Sequence, residues 1–408
     1  MDKKIVHLII CLLIGTGITG TAQEIWTLER CIEYGIEHNL DIESERISRL
    51  QTINEHTRSK LEFLPTIHSS TGVVLHPQRS INSTVEISAK LFDGMRRYYH
   101  TKSLGTSSEI AAQEVERIRN DLSIAITKAF LEVLLAKEMV RISDMSYQVI
   151  DEQYTKQKVL YESGKSSYSS LLDIESQRSS ERVKLYNYRN VLSSNHILLS
   201  HLINLPYSED FGISDQISQE EIVPITWESI DTIFRKARSL PHIRASELKA
   251  RQRMYEARMA AGSISPTISM DIGYDLRHHL TNIGFRIEIP IFNGGYAVTN
   301  IKNASLEHKK SLLEVKRQEQ ELYKEIRKAV QDGISYYQEY MASLDHLRAA
   351  QTAFEFSREK LDVGVITTGD YNYSKNTLFG AHSRSLQAKY KYIFQLKILE
   401  FYKGEHYR

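Results

Sequence analysis

The chain repeats itself at an offset of about 200 residues, and this constrains its fold more than any other feature. "LPTI" at Leu64–Ile67 returns as "SPTI" at Ser265–Ile268, and "LFDG" at Leu91–Gly94 returns as "IFNG" at Ile291–Gly294. Gly164 returns as Gly364. A weaker echo links "TLERCIEYGIEHNLDI" to "WESIDTIFRKARSLPHI". One such pair would be chance. Several in the same order at nearly one offset mark structural copies.

Each copy runs through the same textures. A helical segment ends at Pro65 or Pro266, where proline stops a helix. Alternation of apolar and polar residues follows, which is the pattern of a two-faced strand. Val85, Ile87, Ala89 and Leu91 alternate with Glu86, Ser88 and Lys90. Ile268, Met270, Ile272 and Tyr274 alternate with Ser269, Asp271, Gly273 and Asp275. Ile283, Phe285, Ile287 and Ile289 alternate with Gly284, Arg286 and Glu288. Four strands are predicted, over about 66–75, 83–92, 267–276 and 282–291.

After Gly94 and Gly294 the period becomes helical. Leu122, Ala125, Ala129, Val133, Ala136 and Val140 are spaced by threes and fours, a coiled-coil-like seam. From Gly94 to Gly164, and from Gly294 to Gly364, the chain is long enough for about 105 Å of helix at 1.5 Å per residue. A glycine inside a helix costs about 1 kcal/mol relative to alanine, so Gly164 and Gly364 read as reversal points. The return path from Gly164 is expected as two helices, 167–204 and 228–262, stacked end to end. The residues after Gly364 are too few to return alone, so the N-terminal helices before Pro65 are expected to complete the second copy.

Residues 1–22 read as a secretory signal peptide: Lys3 and Lys4, then an apolar run from Ile5 to Ile18, then Gly20 and Ala22 before Gln23. The remainder divides into a first repeat, 23–225, and a second, 226–408. Without Lys3, Lys4 and Asp2 the basic and acidic residues balance, which argues against nucleic acid as a partner. Only Cys31 remains beyond the signal, so no intrachain disulfide can form. Such a chain is held by burial or by assembly.

Strands of about ten residues suit a tilted crossing of a bilayer. Their two faces, oily and polar, suit an outer-membrane barrel with lipid outside and water inside. A wet lumen tolerates Asp271, Asp275, Arg286 and Glu288, whereas a dry core would not. Four strands cannot close a barrel, for which about eight is the small end, so several chains must share one. A pair of soluble hairpins packed on a helix is the alternative left by pattern alone.

With these residues in view, the chain resembles the TolC-like outer-membrane efflux proteins, the outer membrane factors. The resemblance rests on "LPT" and "SPT" at the strand starts, "LFDG" and "PIFNGG" at the strand ends, and the turns "YESGKSSYSSLLDI" and "VGVITTGDY". It implies a mainly α fold with a β-barrel part. Each of the two repeats would hold long antiparallel coiled-coil helices and a two-strand hairpin, assembled as a trimeric α/β-barrel channel-tunnel. It implies a homotrimer in the outer membrane whose helices extend through the periplasm to a periplasmic adaptor (membrane fusion) protein and an inner-membrane RND or ABC pump. The implied function is an exit duct for small molecules or proteins, in efflux or type I secretion. Pro65, Gly94, Pro266 and Gly294 would mark strand starts and ends. Gly164, Gly364 and Gly369 would form the helix-turn tips where the adaptor docks. Asp370, six residues past Gly364, would line the periplasmic aperture. Tyr373 stands where a second acidic residue often follows, so a double acidic ring is not implied. The first copy has Ser170 in place of Asp370. A simple helix cap is the other reading of Asp370.

An enzyme is not supported. There is no metal-spaced His/Cys cluster and no nucleophile motif, and "GVITTG" is followed by Asp370-Tyr371 where a phosphate loop needs Lys and Ser/Thr. His278-His279 is read as a solvated strand turn. No cofactor is expected. A coiled-coil structural or adhesin-like protein would explain the long helices but not the duplicated strand pairs.

Overall fold

The computed structural model describes residues 25–74, 80–205, 212–215, 222 and 228–404. The segment 1–22, read above as a signal peptide, lies outside them. The chain enters with a two-residue strand β1 (Ile25–Trp26), then α1 (Leu28–His38), α2 (Leu40–Leu61), β2 (Thr66–Val74) and β3 (Ser80–Phe92). A long α3 (Arg96–Glu162) and a shorter α4 (Tyr168–Leu202) complete the first half. After β4 (Gly212–Ile213) come α5 (Ile230–Ala237), α6 (Pro241–Ala261), β5 (Thr267–Asp275), β6 (Leu280–Glu288), α7 (Tyr296–Asp362) and α8 (Thr368–Lys403).

Both long helices have 67 residues, about 100 Å at the α-helical rise. Asn39 separates α1 from α2: its side chain accepts from the backbone N–H groups of Asp41 and Ile42, at 2.9 and 3.0 Å, satisfying donors that a helix start leaves bare. Pro241 opens α6, where its missing N–H costs nothing.

Burial is concentrated part-way along the bundle. In the first half Leu28, Cys31 and Ile32 of α1 close on Leu122, Ile126 and Phe130 of α3 and on Leu199 of α4. In the second half Ile233 and Ala237 of α5 close on Leu322, Ile326 and Val330 of α7 and on Leu399 of α8. Leu122, Ile126 and Leu199 recur 200 positions later as Leu322, Ile326 and Leu399, so the repeat extends into the core.

This packing corrects one expectation. The end of α4 does not stack on α6; it meets α1, where the Asn204 side-chain amide donates to the His38 carbonyl at 3.0 Å. The end of α8 likewise meets α5, and it is not completed by the N-terminal helices. The reason is the amphipathic short helix that opens each half. Its apolar side is buried against the long helix of its own half, which seats α2 or α6 in line with the return helix of that half.

The strands form one antiparallel sheet in the order β2-β3-β5-β6. Its last strand closes at Glu288, short of the expected Ile291, because Pro290 has no N–H to give to a ladder. Ile289 and Ile291 therefore lie beyond the strand. β3 is longer than expected, starting at Ser80. It carries a register shift between Lys90 and Phe92 that brings Phe92 opposite Ile268.

Candidate channel wall and helical tips

The register sorts the sheet into two faces. Ile67 pairs with Ile87, Ile87 with Ile272 and Ile272 with Ile283, one apolar row across all four strands. Ala89, Met270 and Phe285 form a neighbouring row. Alternation places Thr66, Ser88, Asp271 and Gly284 on the opposite face, with His68, Glu86, Gly273 and Asn282 beside them. There the Ser88 hydroxyl donates to Asp271 at 2.8 Å, and Arg286 stands 3.9 Å from the same carboxylate.

The apolar face is bare in a single chain. Ile67, Ile283, Phe285 and Ile287 are all more than 60% exposed. Large apolar side chains in that state on both edge strands need a cover that the described residues do not supply. β2 and β6 are the outer strands, and each leaves one row of backbone donors and acceptors unpaired within the chain. None of the described helices is long and apolar enough to cross a membrane.

At the opposite end of α3, Gly164 sits at φ +72°. Its N–H donates to the Tyr161 carbonyl at 2.9 Å, and the Lys165 N–H reaches back to the Leu160 carbonyl at 2.8 Å. α7 ends identically: Gly364 at φ +75° donates to Leu361 at 3.0 Å, and Val365 donates to Lys360 at 2.8 Å. This left-handed closure satisfies the last carbonyls of a helix and favours glycine, which has no Cβ to clash. Three residues later a side-chain cap starts the return helix. Ser167 accepts from the Ser170 N–H, and Thr367 accepts from the Asp370 N–H, both at 3.2 Å.

Asp370 is exposed and completes a capping box, accepting from the Thr367 hydroxyl at 2.7 Å and from the Thr367 N–H at 3.2 Å. These bonds, the hydroxyl one foremost, hold its carboxyl below the ordinary carboxylate value. The cap residue proper is Thr367, with Asp370 as its reciprocal partner. Gly369 lies inside the first turn of α8, and Tyr373, 76% exposed, lies one turn further on. Ser170 occupies the same third position in α4 without a charge.

Pro65 and Pro266 directly precede β2 and β5. Gly94 and Gly294 have positive φ at the turns leading into α3 and α7. Met95 follows Gly94 at φ 64°, where the second half has Gly295. His278 and His279 lie in the β5–β6 turn, bonded to Asp275 at 2.8 Å and to the Tyr274 hydroxyl at 3.1 Å. Among the described residues no group of three or more His, Cys, Asp or Glu is placed to hold a metal ion.

One contact escaped sequence reasoning. The Lys375 ammonium lies 3.5 Å from Glu181, joining α8 to α4 deep in the bundle. Only the helical seams on both sides could have pointed to it, and lysine at a seam position reads as exposed until the third helix is placed.

Comparison with known proteins agrees with this geometry. The sequence profile of the outer membrane efflux protein family matches residues 237–405. Outer membrane protein TolC of Vibrio cholerae is 22% identical, the match covering 97% of this chain and 94% of that protein. Alkaline protease secretion protein AprF of Pseudomonas aeruginosa is 19% identical, over 79% of this chain and 69% of its own. Among solved structures, CusC superposes with a TM-score of 0.79 at 16% identity, covering 92% of this chain and 91% of its own. The outer-membrane channel OprN superposes with a TM-score of 0.78 at 13% identity, over 93% and 90%.

Proposed function

We propose that this chain is a TolC-like outer membrane factor, that it assembles as a homotrimer and that it forms the outer-membrane exit duct of an efflux or type I secretion system. The observation that carries the reading is the sheet: one face with apolar rows across the strands, one polar face and two open edges. In a bilayer an open edge is untenable, because each unsatisfied backbone group costs several kcal/mol. Three copies, with β6 of one beside β2 of the next, would close twelve strands into a barrel with the apolar rows toward lipid. The polar rows, with Glu86, Asp271 and Arg286, would line a water-filled lumen.

The long helices extend that lumen through the periplasm. The repeats, 23–225 and 226–408, contribute equivalent walls, and their turns at Gly164 and Gly364 mark the far end. There a periplasmic adaptor of an RND or ABC pump would dock, and three copies of Asp370 would approach the aperture. The relatives' names span outer-membrane efflux and protease secretion, so the class of cargo is left as small molecules or proteins.

Extraction from outer membranes in mild detergent tests the assembly. A trimer that converts to monomer only on heating, and that conducts ions in planar bilayers, is expected. A monomer without conductance would contradict the proposal.

A further inference from the structure

A groove of about 430 Å³ lies where the end of α2, the start of α3 and the second half of α6 meet. Its walls carry Phe63, Tyr98 and Tyr255, and its charges include Lys60, Lys102 and Arg251. The aromatic wall is held in place. Tyr255 stacks on Tyr99 at 6.4 Å, Tyr98 meets Tyr99 edge-on at 5.2 Å, and the Lys102 ammonium lies 5.7 Å from the Tyr98 ring centre. Glu109 is the acid in the lining, 3.9 Å from Arg251, which leaves a positive excess. Gly105 leaves the space that the His56 imidazole occupies, since a Cβ there would stand 3.1 Å from it.

On the barrel reading the groove faces away from the lumen. A separate hollow joins Lys90, Thr267 and Glu288 of the polar strand face to Arg96, Arg97 and His100, which marks the lumenal side of α3. At 3.6 residues per turn, Tyr98 and Lys102 stand about 200° around the helix from Arg96 and His100, while Arg97 lies between the two hollows with its guanidinium 5.0 Å from the centre of the Phe63 ring. The groove is also shallow with respect to the strands. Lys102 is about 9 Å down α3 from its start, and Tyr98 about 3 Å. The headgroup layers add roughly 5–8 Å on each side of the hydrocarbon core. Leu61 and Leu64, each more than half exposed, line the way toward the strands.

Resting on the barrel reading above, we propose that this groove binds the phosphate headgroup of an anionic phospholipid of the periplasmic leaflet. Tyrosine suits the interface because its ring is apolar and its hydroxyl wet. Each lysine or arginine near a membrane surface strengthens binding of anionic lipid about five-fold. Phe63, Leu61 and Leu64 lie where the acyl chains would leave the groove for the bilayer. An acidic segment of a partner protein shares the charge but not the acyl chains.

Native mass spectrometry of the detergent-purified trimer tests this, with phosphatidylglycerol, zwitterionic phosphatidylethanolamine and inorganic phosphate as separate probes. The trimer should retain phosphatidylglycerol in preference to phosphatidylethanolamine, and inorganic phosphate should not displace it. Lys102→Gln with Arg251→Gln should weaken retention roughly thirty-fold, while Lys309→Gln on α7 should leave it unchanged. Gly105→Met fills the groove without altering charge or helix propensity adversely, and should also lose the lipid. Equal retention by wild type and both groove variants overturns the proposal. So does equal competition by inorganic phosphate. The trimer mass in the same spectra reports the assembly itself, so a lost barrel and a lost lipid are separate results.

Discussion

Lys375 on α8 lies 3.5 Å from Glu181 on α4, and both side chains are almost wholly buried. Glu181 also accepts from Ser146 of α3 and from Lys184, each at 3.1 Å. The contact fastens the α7–α8 hairpin to the α3–α4 hairpin. Removing Lys375 leaves Glu181 with Ser146 and the half-exposed Lys184, so the cost is at most about 3–5 kcal/mol, that of breaking a buried pair. Lys375→Met should therefore lower the chemical denaturation midpoint markedly. Adding Glu181→Gln should restore much of the loss. A Lys375→Met protein as stable as wild type would show that the pair holds nothing together.

The same carboxylate gives a pH signature. Burial by itself would raise the Glu181 pKa, but Lys375, Lys184 and Ser146 outweigh it and hold the carboxyl below its ordinary value. A carboxylate with a depressed folded pKa stabilises above its unfolded value, near pH 4.3, and loses that contribution as pH falls through the folded one. Wild type should thus lose stability below about pH 4 more steeply than Glu181→Gln. Denaturation midpoints of the two proteins against pH check this; parallel curves would remove Glu181 from the acid limb.

Gly164 and Gly364 have nothing within 4 Å of an added Cβ, so substitutions there act through the backbone alone. An ordinary residue in the left-handed region costs about 1–2 kcal/mol, and a β-branched one more. Gly364→Val should depress export while the trimer still forms, and Gly364→Asn should be nearly silent because asparagine tolerates that region. Normal export by Gly364→Val would dismiss the turn as a critical reversal.

Much of this was legible because the chain says it twice. Period-two alternation told which residues share a strand face, and the paired Gly164 and Gly364 marked the helix reversals. The meeting of α4 with α1 was not legible. It depends on the Asn204–His38 contact and on which helix covers Leu199, and neither leaves a local signal. Asp370 was seen as either a cap or an aperture group; the geometry makes it the partner of the Thr367 cap while leaving it exposed. Met95 broke the local rule, since a non-glycine residue takes positive φ where the second copy has glycine. The Lys375–Glu181 pair was hidden because seam periodicity says where a side chain points but not what charge meets it.

Asp370 carries the aperture part of the proposal. Three copies near one axis would attract cations, and their mutual repulsion would work against the depression that Thr367 imposes. Asp370→Asn should leave the trimer folded and weaken block of single-channel current by a trivalent cation added from the periplasmic side. With Tyr373 in place of a second carboxylate, the native block should itself be modest. Identical block curves for the two proteins would take Asp370 out of the pore.

The shared barrel is the central claim, and labelling of single cysteines in intact outer membranes with a water-soluble thiol reagent tests it most directly. Cys31 is fully buried, so background labelling is low. Cysteines at Glu86, Asn282 and Arg286 should react, and those at Ile87, Ile283 and Phe285 should be protected. Equal reaction along both faces of β3 and β6 would contradict a barrel with lipid on one side and water on the other.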